Sequence, residues 1–392
     1  MRFAFWISRS THLKVAAPIA AAARQQGHEC VSLHPVGRLR GPKDDAERAV
    51  GYDPALKPFD LSVAIADEVD AEIHLQDVDW AVAVGLRTAP TIRAYTRASG
   101  VHWACLDHVG DNLLYPLEGW QPADAEWDCL TTLAEGPRAF TEGQDRLLPL
   151  GRALLQTMRP VGYPELDQLA LPGMTREVCR EKWNLPREGR IVLFAPAARP
   201  ANLGRLRRWW WGRQDYPFIA RQIRRWCDRH GAFLLTKTRA KHGDPPWLQD
   251  ISDLSVSDGV YYPFNTLELL VAADVVVGFA SALAVEAAAV GRPQLWLHAW
   301  PPRRSEWPAY LPLRERYFLQ RGGLWNNAGT GQIECFGPRW REFLQRWADE
   351  GPWPVLTEEG LQAMRQATER WAGPLGASEC VLDLLEGNVR LR

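Results

Sequence analysis

The chain has 392 residues, of which 46% are hydrophobic and 24% are charged, and its net charge is −1. This length exceeds one typical hydrophobic core and predicts two domains, while the near-zero charge excludes nucleic acid as an expected partner. No run of about 18 apolar residues occurs, and no basic stretch precedes an apolar core near residue 1, so we expect a cytoplasmic protein without a transmembrane helix.

The first half of the chain alternates short apolar runs with helical patterns. Strands are predicted at 2–8, 28–33, 79–84 and 101–106, and an alanine-rich helix at 15–26. Strands separated by helices at these distances favour a parallel, doubly wound sheet. Residues 37–60 are rich in Pro, Gly and charge and are predicted to form a loop or a mobile flap.

The pattern restarts in the second half. The predicted strands are 190–195, 232–237, 260–263, 275–279 and 294–298, and the predicted helices are 218–230, 266–273 and 282–290. The span 150–188 has no sustained strand and is the expected connection between domains. We therefore predict an N-terminal acceptor-side domain at 1–165, a C-terminal donor-binding domain at 166–375, and a helix at 376–392 that packs back on the N-terminal domain.

Cysteine spacing and short motifs exclude several classes of protein. The seven cysteines are scattered without a CxxC pair, which favours buried thiols over a disulfide framework or a structural zinc site. The absence of GxGxxG, P-loop and HExxH sequences excludes Rossmann dehydrogenases, P-loop NTPases and zincins. Asp77 and Asp79 form a DxD sequence, but they precede their strand, so we expect no metal there and no cofactor elsewhere.

The strongest chemical signal lies between 269 and 293. A buried strand ends in Gly278-Phe279-Ala280-Ser281, and a helix follows at once from Ala282. Free backbone N–H groups and the helix dipole would make this turn an anion site, to which Ser281 could add its hydroxyl. Glu286 follows about one and a half turns later, on what is predicted to be an exposed end. The alternative is a plain strand–turn–helix with a surface glutamate.

This segment resembles the donor-binding segment of GT-B glycosyltransferases, such as the peptidoglycan UDP-N-acetylglucosamine transferase. The resemblance implies an α/β fold of two facing Rossmann-like domains, each a doubly wound parallel sheet, with an inter-domain cleft. It also implies that Ala280, Ser281 and Ala282 hold a diphosphate and that Glu286 binds the ribose hydroxyls. Arg199 and Phe264 are assigned to the same donor site.

A second resemblance covers about residues 100–300, with gaps. The sequences at 161–169 and 182–196 resemble the linker and first C-terminal strand of CDP-glycerol glycerophosphotransferases, which share their arrangement with UDP-N-acetylglucosamine 2-epimerases. Lys237-Thr238-Arg239 takes the place of that family's Lys-x-His-Pro motif, and 105–112 takes the place of its His-Gly motif. The missing histidine and the loss of a second serine after Ser281 weaken glycerophosphate transfer specifically, but not binding of a nucleoside diphosphate.

Two groups of residues could serve the chemistry of transfer. Lys237 and Arg239 end a strand and could neutralise a leaving diphosphate, although solvated surface charge is an equal alternative. A base is expected in the N-terminal domain, where His108 follows a strand beside Asp107. His12, in the first strand–helix loop, is the rival candidate.

Residues 199–230 carry nine arginines interleaved with Trp209, Trp210, Trp211 and Trp226. This composition favours a peripheral contact at the inner membrane face, and the alternative is a solvated basic face over a packed tryptophan cluster.

The function implied is transfer of a glycosyl or polyol-phosphate group from a CDP- or UDP-activated donor to a cell-surface polysaccharide or lipid-linked glycan. A sugar-nucleotide 2-epimerase and a non-catalytic glycan-binding descendant of the fold remain as alternatives.

Overall fold

A computed structural model describes most of the chain in two compact units. Unit 1 comprises Met1–Ala170 and Glu369–Arg392, and unit 2 comprises Leu171–Val260 and Asn265–Thr368. The described residues are 1–8, 12–36, 59–85, 100–107, 127–132, 134–142, 149–196, 215–238, 246–257, 265–279, 281, 283–298, 321–335 and 339–390.

Unit 1 contains a parallel sheet of seven strands in the order β3-β2-β1-β4-β5-β6-β7. The strands are β1 (Arg2–Trp6), β2 (Glu29–Pro35), β3 (Leu61–Ile65), β4 (Trp80–Val84), β5 (His102–Asp107), β6 (Cys129–Thr132) and β7 (Arg159–Pro160). The helices that accompany them are α1 (Leu13–Gln25), α2 (Glu68–Leu75), α3 (Glu135–Glu142) and α4 (Pro149–Thr157), followed by a 3-10 helix (Pro164–Ala170). The strand order reverses direction from β1 to β4, as in doubly wound folds.

Unit 2 contains a parallel sheet of six strands in the order β10-β9-β8-β11-β12-β13. Its strands are β8 (Arg190–Ala195), β9 (Ala232–Thr238), β10 (Leu254–Ser257), β11 (Val275–Phe279), β12 (Gln294–His298) and β13 (Thr330–Glu334). Its helices are α5 (Arg176–Lys182), α6 (Tyr216–Arg229), α7 (Pro246–Ile251), α8 (Asn265–Ala272), α9 (Leu283–Val290), α10 (Trp340–Glu350) and α11 (Glu358–Ala372), the last of which continues into unit 1 at Glu369.

Helix α6 illustrates how the sequence builds unit 2. Asp215 caps the helix, its carboxylate accepting a hydrogen bond from the N–H of Phe218 at 3.0 Å. Ile219, Ile223 and Trp226 recur at helical spacing and are fully buried against one face of the sheet. The amphipathic pattern therefore determines which side of α6 faces the core.

A row of aspartates holds the amino edges of both sheets. Each stands immediately before a strand, and its carboxylate accepts a hydrogen bond of 2.6–2.9 Å from a backbone N–H of the adjacent strand. These N–H groups lie at the start of strands, where the ladder supplies few acceptors. The amino-edge aspartates are Asp60, Asp79, Asp128, Asp253 and Asp274.

The last helix, α12 (Ala377–Arg390), packs on α1 and on the 3-10 helix of unit 1. Asp167 caps it, because its carboxylate accepts hydrogen bonds from three successive N–H groups, those of Gly376, Ala377 and Ser378, at 2.7–3.1 Å. A carboxylate at a helix N-terminus is also favoured by the helix dipole.

The predicted α/β class with two parallel sheets is confirmed, but individual elements differ. Strands β3, β6, β7 and β13 were not predicted, and β10 lies at Leu254–Ser257, whereas the predicted strand at 260–263 falls outside the described residues. The span 150–188 is also more structured than a connection, since it holds β7, the 3-10 helix, α5 and most of α4. Among the described residues, no helix is long and apolar enough to cross a membrane.

The cysteines are unpaired thiols, as predicted, and six of the seven are buried. Burial raises the pKa of the Cys30 and Cys227 thiols to about 12. Cys380 on α12 is the exposed one.

Candidate functional site

The candidate anion turn of unit 2 lies between β11 and α9, and Ser281 is its central described residue. The Ser281 hydroxyl oxygen accepts a hydrogen bond from the N–H of Leu283 at 3.3 Å, and the Ser281 carbonyl accepts one from the N–H of Ala284 at 3.2 Å. A serine hydroxyl that accepts in this way still has its own proton to donate. The turn can therefore offer an O–H donor to an anion.

These bonds bear on the free backbone N–H groups that were predicted for the turn. The N–H groups of Leu283 and Ala284 are both bonded to Ser281, whereas Ala280 and Ala282, to which the diphosphate was assigned, lie outside the described residues. Serine competes with ligands for helix-start donors because its side chain and carbonyl lie within reach of them. Ser281 consequently caps the helix, and its hydroxyl keeps a proton that it can donate.

Glu286 lies in the first turn of α9, and the prediction that it is exposed was wrong. It is only 4% exposed. The reason is that α9 carries apolar residues on all sides, with Leu283, Ala284, Val285, Ala287 and Ala288 buried as well. A helix of this kind has no solvated face. Glu286 is thus a buried carboxylate close along the helix to Ser281.

Lys237 stands near the carboxyl end of β9 and is 7% exposed, so it is not a solvated surface charge. Its ammonium donates a hydrogen bond to the carbonyl of Thr238 at 2.9 Å. Thr236 pairs with Phe194, and Ala195 pairs with Gly278, so Lys237 is level with Gly278 across β8. The sheet therefore carries a buried cation at the same height as the strand end that leads into the anion turn.

The packing around Gly278 explains why the penultimate residue of β11 is a glycine. A Cβ at this position would lie 3.3 Å from both the Ala195 carbonyl and the ring of Trp296. Trp296 is buried and its indole donates a hydrogen bond to the side chain of Gln294 at 3.0 Å. Close approach of these neighbouring strands thus favours glycine before the turn.

Trp325 is a contributor to the turn that the sequence did not reveal. It is fully buried, and its indole N–H donates a hydrogen bond to the Ser281 carbonyl at 3.1 Å. The two residues are 44 positions apart, and no motif or periodicity links them.

In unit 1, His12 directly precedes α1, at the carboxyl end of β1, and is 2% exposed. Its Nδ1 lies 3.5 Å from the Ser8 hydroxyl. Asp107 is the last residue of β5, so its backbone lies at the same carboxyl edge of the sheet. The other site residues predicted from the sequence lie outside the described residues: Ala280, Ala282, Phe264, Arg239, Arg199 and His108.

Comparison with solved structures identifies the architecture. The chain is similar to MnaA of S. aureus, solved with UDP, at 11% identity and a TM-score of 0.58, covering 100% of this chain and 97% of that one. It is similar to the UDP-GlcNAc 2-epimerase of Neisseria meningitidis, solved with UDP-GlcNAc, at 9% identity and a TM-score of 0.58. That alignment covers 99% of this chain and 100% of the epimerase. It is also similar to the wall teichoic acid polymerase TagF, at 12% identity and a TM-score of 0.60. That alignment covers 100% of this chain and 89% of TagF. This chain has the GT-B fold.

The likeness is one of fold, because identities of 9–12% carry no information on individual site residues. No family model matches the chain, and no curated protein is similar to it in sequence. The chemistry assigned to this GT-B chain must therefore come from its own residues.

Two other sequence signals are structural in this GT-B chain. Asp79 is one of the amino-edge aspartates and bonds the N–H of Arg2 at 2.7 Å, which agrees with the prediction that the DxD sequence precedes its strand. Trp226 was included in a membrane-contacting cluster, and that assignment was wrong. It is fully buried, stacked on Trp353 with ring centroids 5.3 Å apart, and bonded to the Gly351 carbonyl.

Proposed function

We propose that this protein is a GT-B transferase that binds a CDP- or UDP-activated donor in unit 2. It moves a glycosyl or polyol-phosphate group to a cell-surface polysaccharide or lipid-linked glycan. The observation that carries the proposal is the presence of Ser281, Glu286 and Lys237 toward the carboxyl edge of the unit 2 sheet, where Lys237 on β9 is level with the end of β11. Parallel α/β sheets bind their ligands outside the carboxyl ends of the strands, where this combination lies.

In this proposal each of the three residues binds a different part of the donor. The Ser281 hydroxyl donates to a diphosphate oxygen, at the positive end of the α9 dipole. Glu286, about one and a half turns further along α9, accepts hydrogen bonds from the ribose hydroxyls. A hydrogen bond to a charged group contributes about 1.5–3 kcal/mol, so the loss of this carboxylate should be measurable.

Lys237 serves the departing group. Charge on the nucleoside diphosphate grows as its bond to the transferred group breaks, and a cation already fixed near that position stabilises the transition state without reorganisation. The buried ammonium of Lys237 meets this requirement, and Arg239 is proposed as its partner. With these cations in place, we expect the reaction to run without a cofactor.

The base is proposed to come from unit 1, with inversion by direct displacement. His108, oriented by Asp107, remains the preferred candidate, and His12 is its rival. His12 lies at the carboxyl end of β1, where a GT-B sheet presents its loops, and this position supports keeping it in the comparison.

The first experiment is a thermal-shift panel of CDP, UDP, GDP, CMP and ADP. A nucleotide present at 100 times its dissociation constant stabilises the protein by about 2.7 kcal/mol. We expect the largest shift with CDP or UDP, and a smaller one with CMP because it has a single phosphate. No shift with any nucleoside diphosphate would contradict the donor site.

A second candidate function is a sugar-nucleotide 2-epimerase, which is favoured by the similarity of fold to the epimerase of N. meningitidis. The two reactions differ in their need for an acceptor. An epimerase inverts the sugar at C2 of UDP-GlcNAc incubated alone, whereas a transferase releases the nucleotide only when an acceptor is added.

Proton NMR of UDP-GlcNAc with the enzyme distinguishes these outcomes. New anomeric signals without an acceptor would replace the transferase proposal with the epimerase. Glycan binding with neither epimerisation nor nucleotide release would instead identify a non-catalytic descendant of the fold.

A further inference from the structure

A loop that lies far from the anion turn in sequence contacts it directly. Residues 321–329, which we name the tryptophan loop, precede β13 in unit 2. From this loop the fully buried Trp325 donates its indole hydrogen bond to the carbonyl of Ser281 at 3.1 Å. The same carbonyl accepts from the N–H of Ala284, so two donors from different parts of the chain hold it.

The tryptophan loop is built to keep Trp325 in place. The Asn327 side chain donates to the carbonyl of Gly323 at 3.0 Å and accepts from the N–H of Gly329 at 2.9 Å. The backbone N–H of Asn327 donates to the hydroxyl of Thr330 at 2.9 Å. These bonds close the loop on itself and link it to the first residue of β13.

The loop is also packed tightly against the rest of unit 2. A Cβ added at Gly329 would lie 2.5 Å from the side chain of Met364 on α11. The carbonyl of Trp325 accepts a short hydrogen bond from the side chain of Gln332 on β13. The indole N–H is therefore presented to Ser281 from a support anchored on a strand and a helix.

We propose that Trp325 is a positioning residue for the anion turn, an inference that rests on the proposed donor site. A carbonyl fixed by two donors fixes the plane of the peptide unit to which it belongs. It thereby fixes the backbone from which the Ser281 side chain projects. The hydroxyl of Ser281 stays at the height and angle that a diphosphate oxygen requires, and no reorganisation is needed when the donor binds.

The test compares two conservative substitutions with amide hydrogen exchange as the first readout. Trp325→Phe keeps the ring and removes the N–H. Trp226→Phe is a matched control, because Trp226 is also fully buried in unit 2 and donates to a backbone carbonyl, that of Gly351, at the same 3.1 Å. Both acceptor carbonyls keep another donor after the substitution.

In the unliganded protein, exchange is resolved to single residues by electron-transfer fragmentation. Trp325→Phe should raise the exchange rates of the Leu283 and Ala284 amides about fivefold, the effect of losing one hydrogen bond, while Trp226→Phe leaves them unchanged. Equal rates in the two variants would overturn the inference. This readout needs no nucleotide, so it decides the positioning role even if the proposed function fails.

Calorimetry with UDP then links the position to binding. UDP affinity should fall about fivefold in Trp325→Phe and stay at the parental value in Trp226→Phe. In a Ser281→Ala background, Trp325→Phe should cost less than about twofold, because the hydroxyl that it positions is gone. A full fivefold loss in that background would show that Trp325 affects UDP binding independently of the Ser281 hydroxyl, and would overturn the positioning role.

If Trp325→Phe does not fold, Asn327→Ala tests the positioning role instead. It loosens the tryptophan loop but keeps the indole. Faster exchange at the Leu283 and Ala284 amides supports the inference, and parental rates there overturn it.

Discussion

The two edges of each parallel sheet use polar residues for different purposes. At the amino edges, the five amino-edge aspartates repeat one device in both units, a carboxylate bonded to a backbone N–H of the adjacent strand. At the carboxyl edge of unit 2, Ser281 caps a helix and keeps a hydroxyl proton to donate. The direction of the strand, more than the type of residue, distinguishes groups that hold the fold from groups that can meet a ligand.

Asp274 is an amino-edge aspartate whose carboxylate accepts several hydrogen bonds from protein groups. Its carboxylate accepts from the N–H of Ile191 at 2.8 Å, from Arg180 at 3.0 Å and from Arg176. Other N–H groups of Arg180 donate hydrogen bonds to backbone carbonyls. Burial lowers the pKa of its guanidinium. Such a cluster has little capacity left for a ligand, despite its charge.

The largest expected effect is that of removing the proposed catalytic base. His108→Ala should lower transfer by about 10²–10⁴ and leave UDP affinity intact, because the proposed donor site lies in unit 2. The variant should also lose the rise in rate that a histidine base gives between roughly pH 6 and 7. Steady-state rates across pH measure both.

His12→Ala is the control for this substitution. His12 is buried beside Ser8, so we expect mainly a loss of stability from its removal. Near-parental transfer in His108→Ala combined with loss of transfer in a folded His12→Ala would move the base to the first loop.

Asp274→Ala should have the largest effect on stability. It removes a partly buried carboxylate that pairs with two arginines, of which only Arg180 is buried, so we expect a cost of about 3 kcal/mol, the low end for breaking a buried pair. Urea unfolding measures the loss. The UDP affinity of the folded fraction should not change, and a lower affinity would show that the two edges are not independent.

Glu286→Gln tests the donor side. Because Glu286 is buried, the isosteric change is preferred to alanine, which would also create a cavity. We expect UDP affinity to fall about tenfold with little change in urea stability. Comparison with 2′,3′-dideoxy-UDP provides the check, since the parent should lose the same factor when the ribose hydroxyls are removed. Parental affinity in the variant contradicts the ribose role.

Asp79→Asn should give the smallest effect. The amide keeps an acceptor for the Arg2 N–H, so we expect a loss of about 1 kcal/mol in urea and parental transfer rates. If Asp79→Asn instead lost transfer activity, and the size of that loss depended on the concentration of added Mn²⁺, Asp79 would be part of a metal site.

The sequence predicted the parts of this fold that depend on local patterns. Buried strands such as β8 and β11 are continuous apolar runs, and α6 has a clear helical period. Strands β7 and β13 were not predicted. Strand β7 has only two residues, and the sequence of β13, TGQIE, is mostly polar. Both are defined by their pairing with a neighbour and not by their own composition.

The candidate site was predictable to the same degree. The strand–serine–helix pattern located Ser281, because the polar break between two apolar elements is visible in one segment. The burial of Glu286 and the contact of Trp325 depend on tertiary packing, and no sequence pattern encodes a hydrogen bond across 44 residues. Long-range support of a site is what the sequence alone could not reveal.

Hydrogen exchange with and without UDP tests the proposed donor site, because it maps nucleotide binding along the whole chain. We predict that saturating UDP slows exchange in the peptides that cover the end of β11 with the start of α9, and in the peptide that covers the end of β9. The amino-edge peptide that contains Asp274 should be unaffected. Protection at the amino edge, or no protection at the start of α9 while UDP is bound, would contradict a donor site at the carboxyl edge of unit 2.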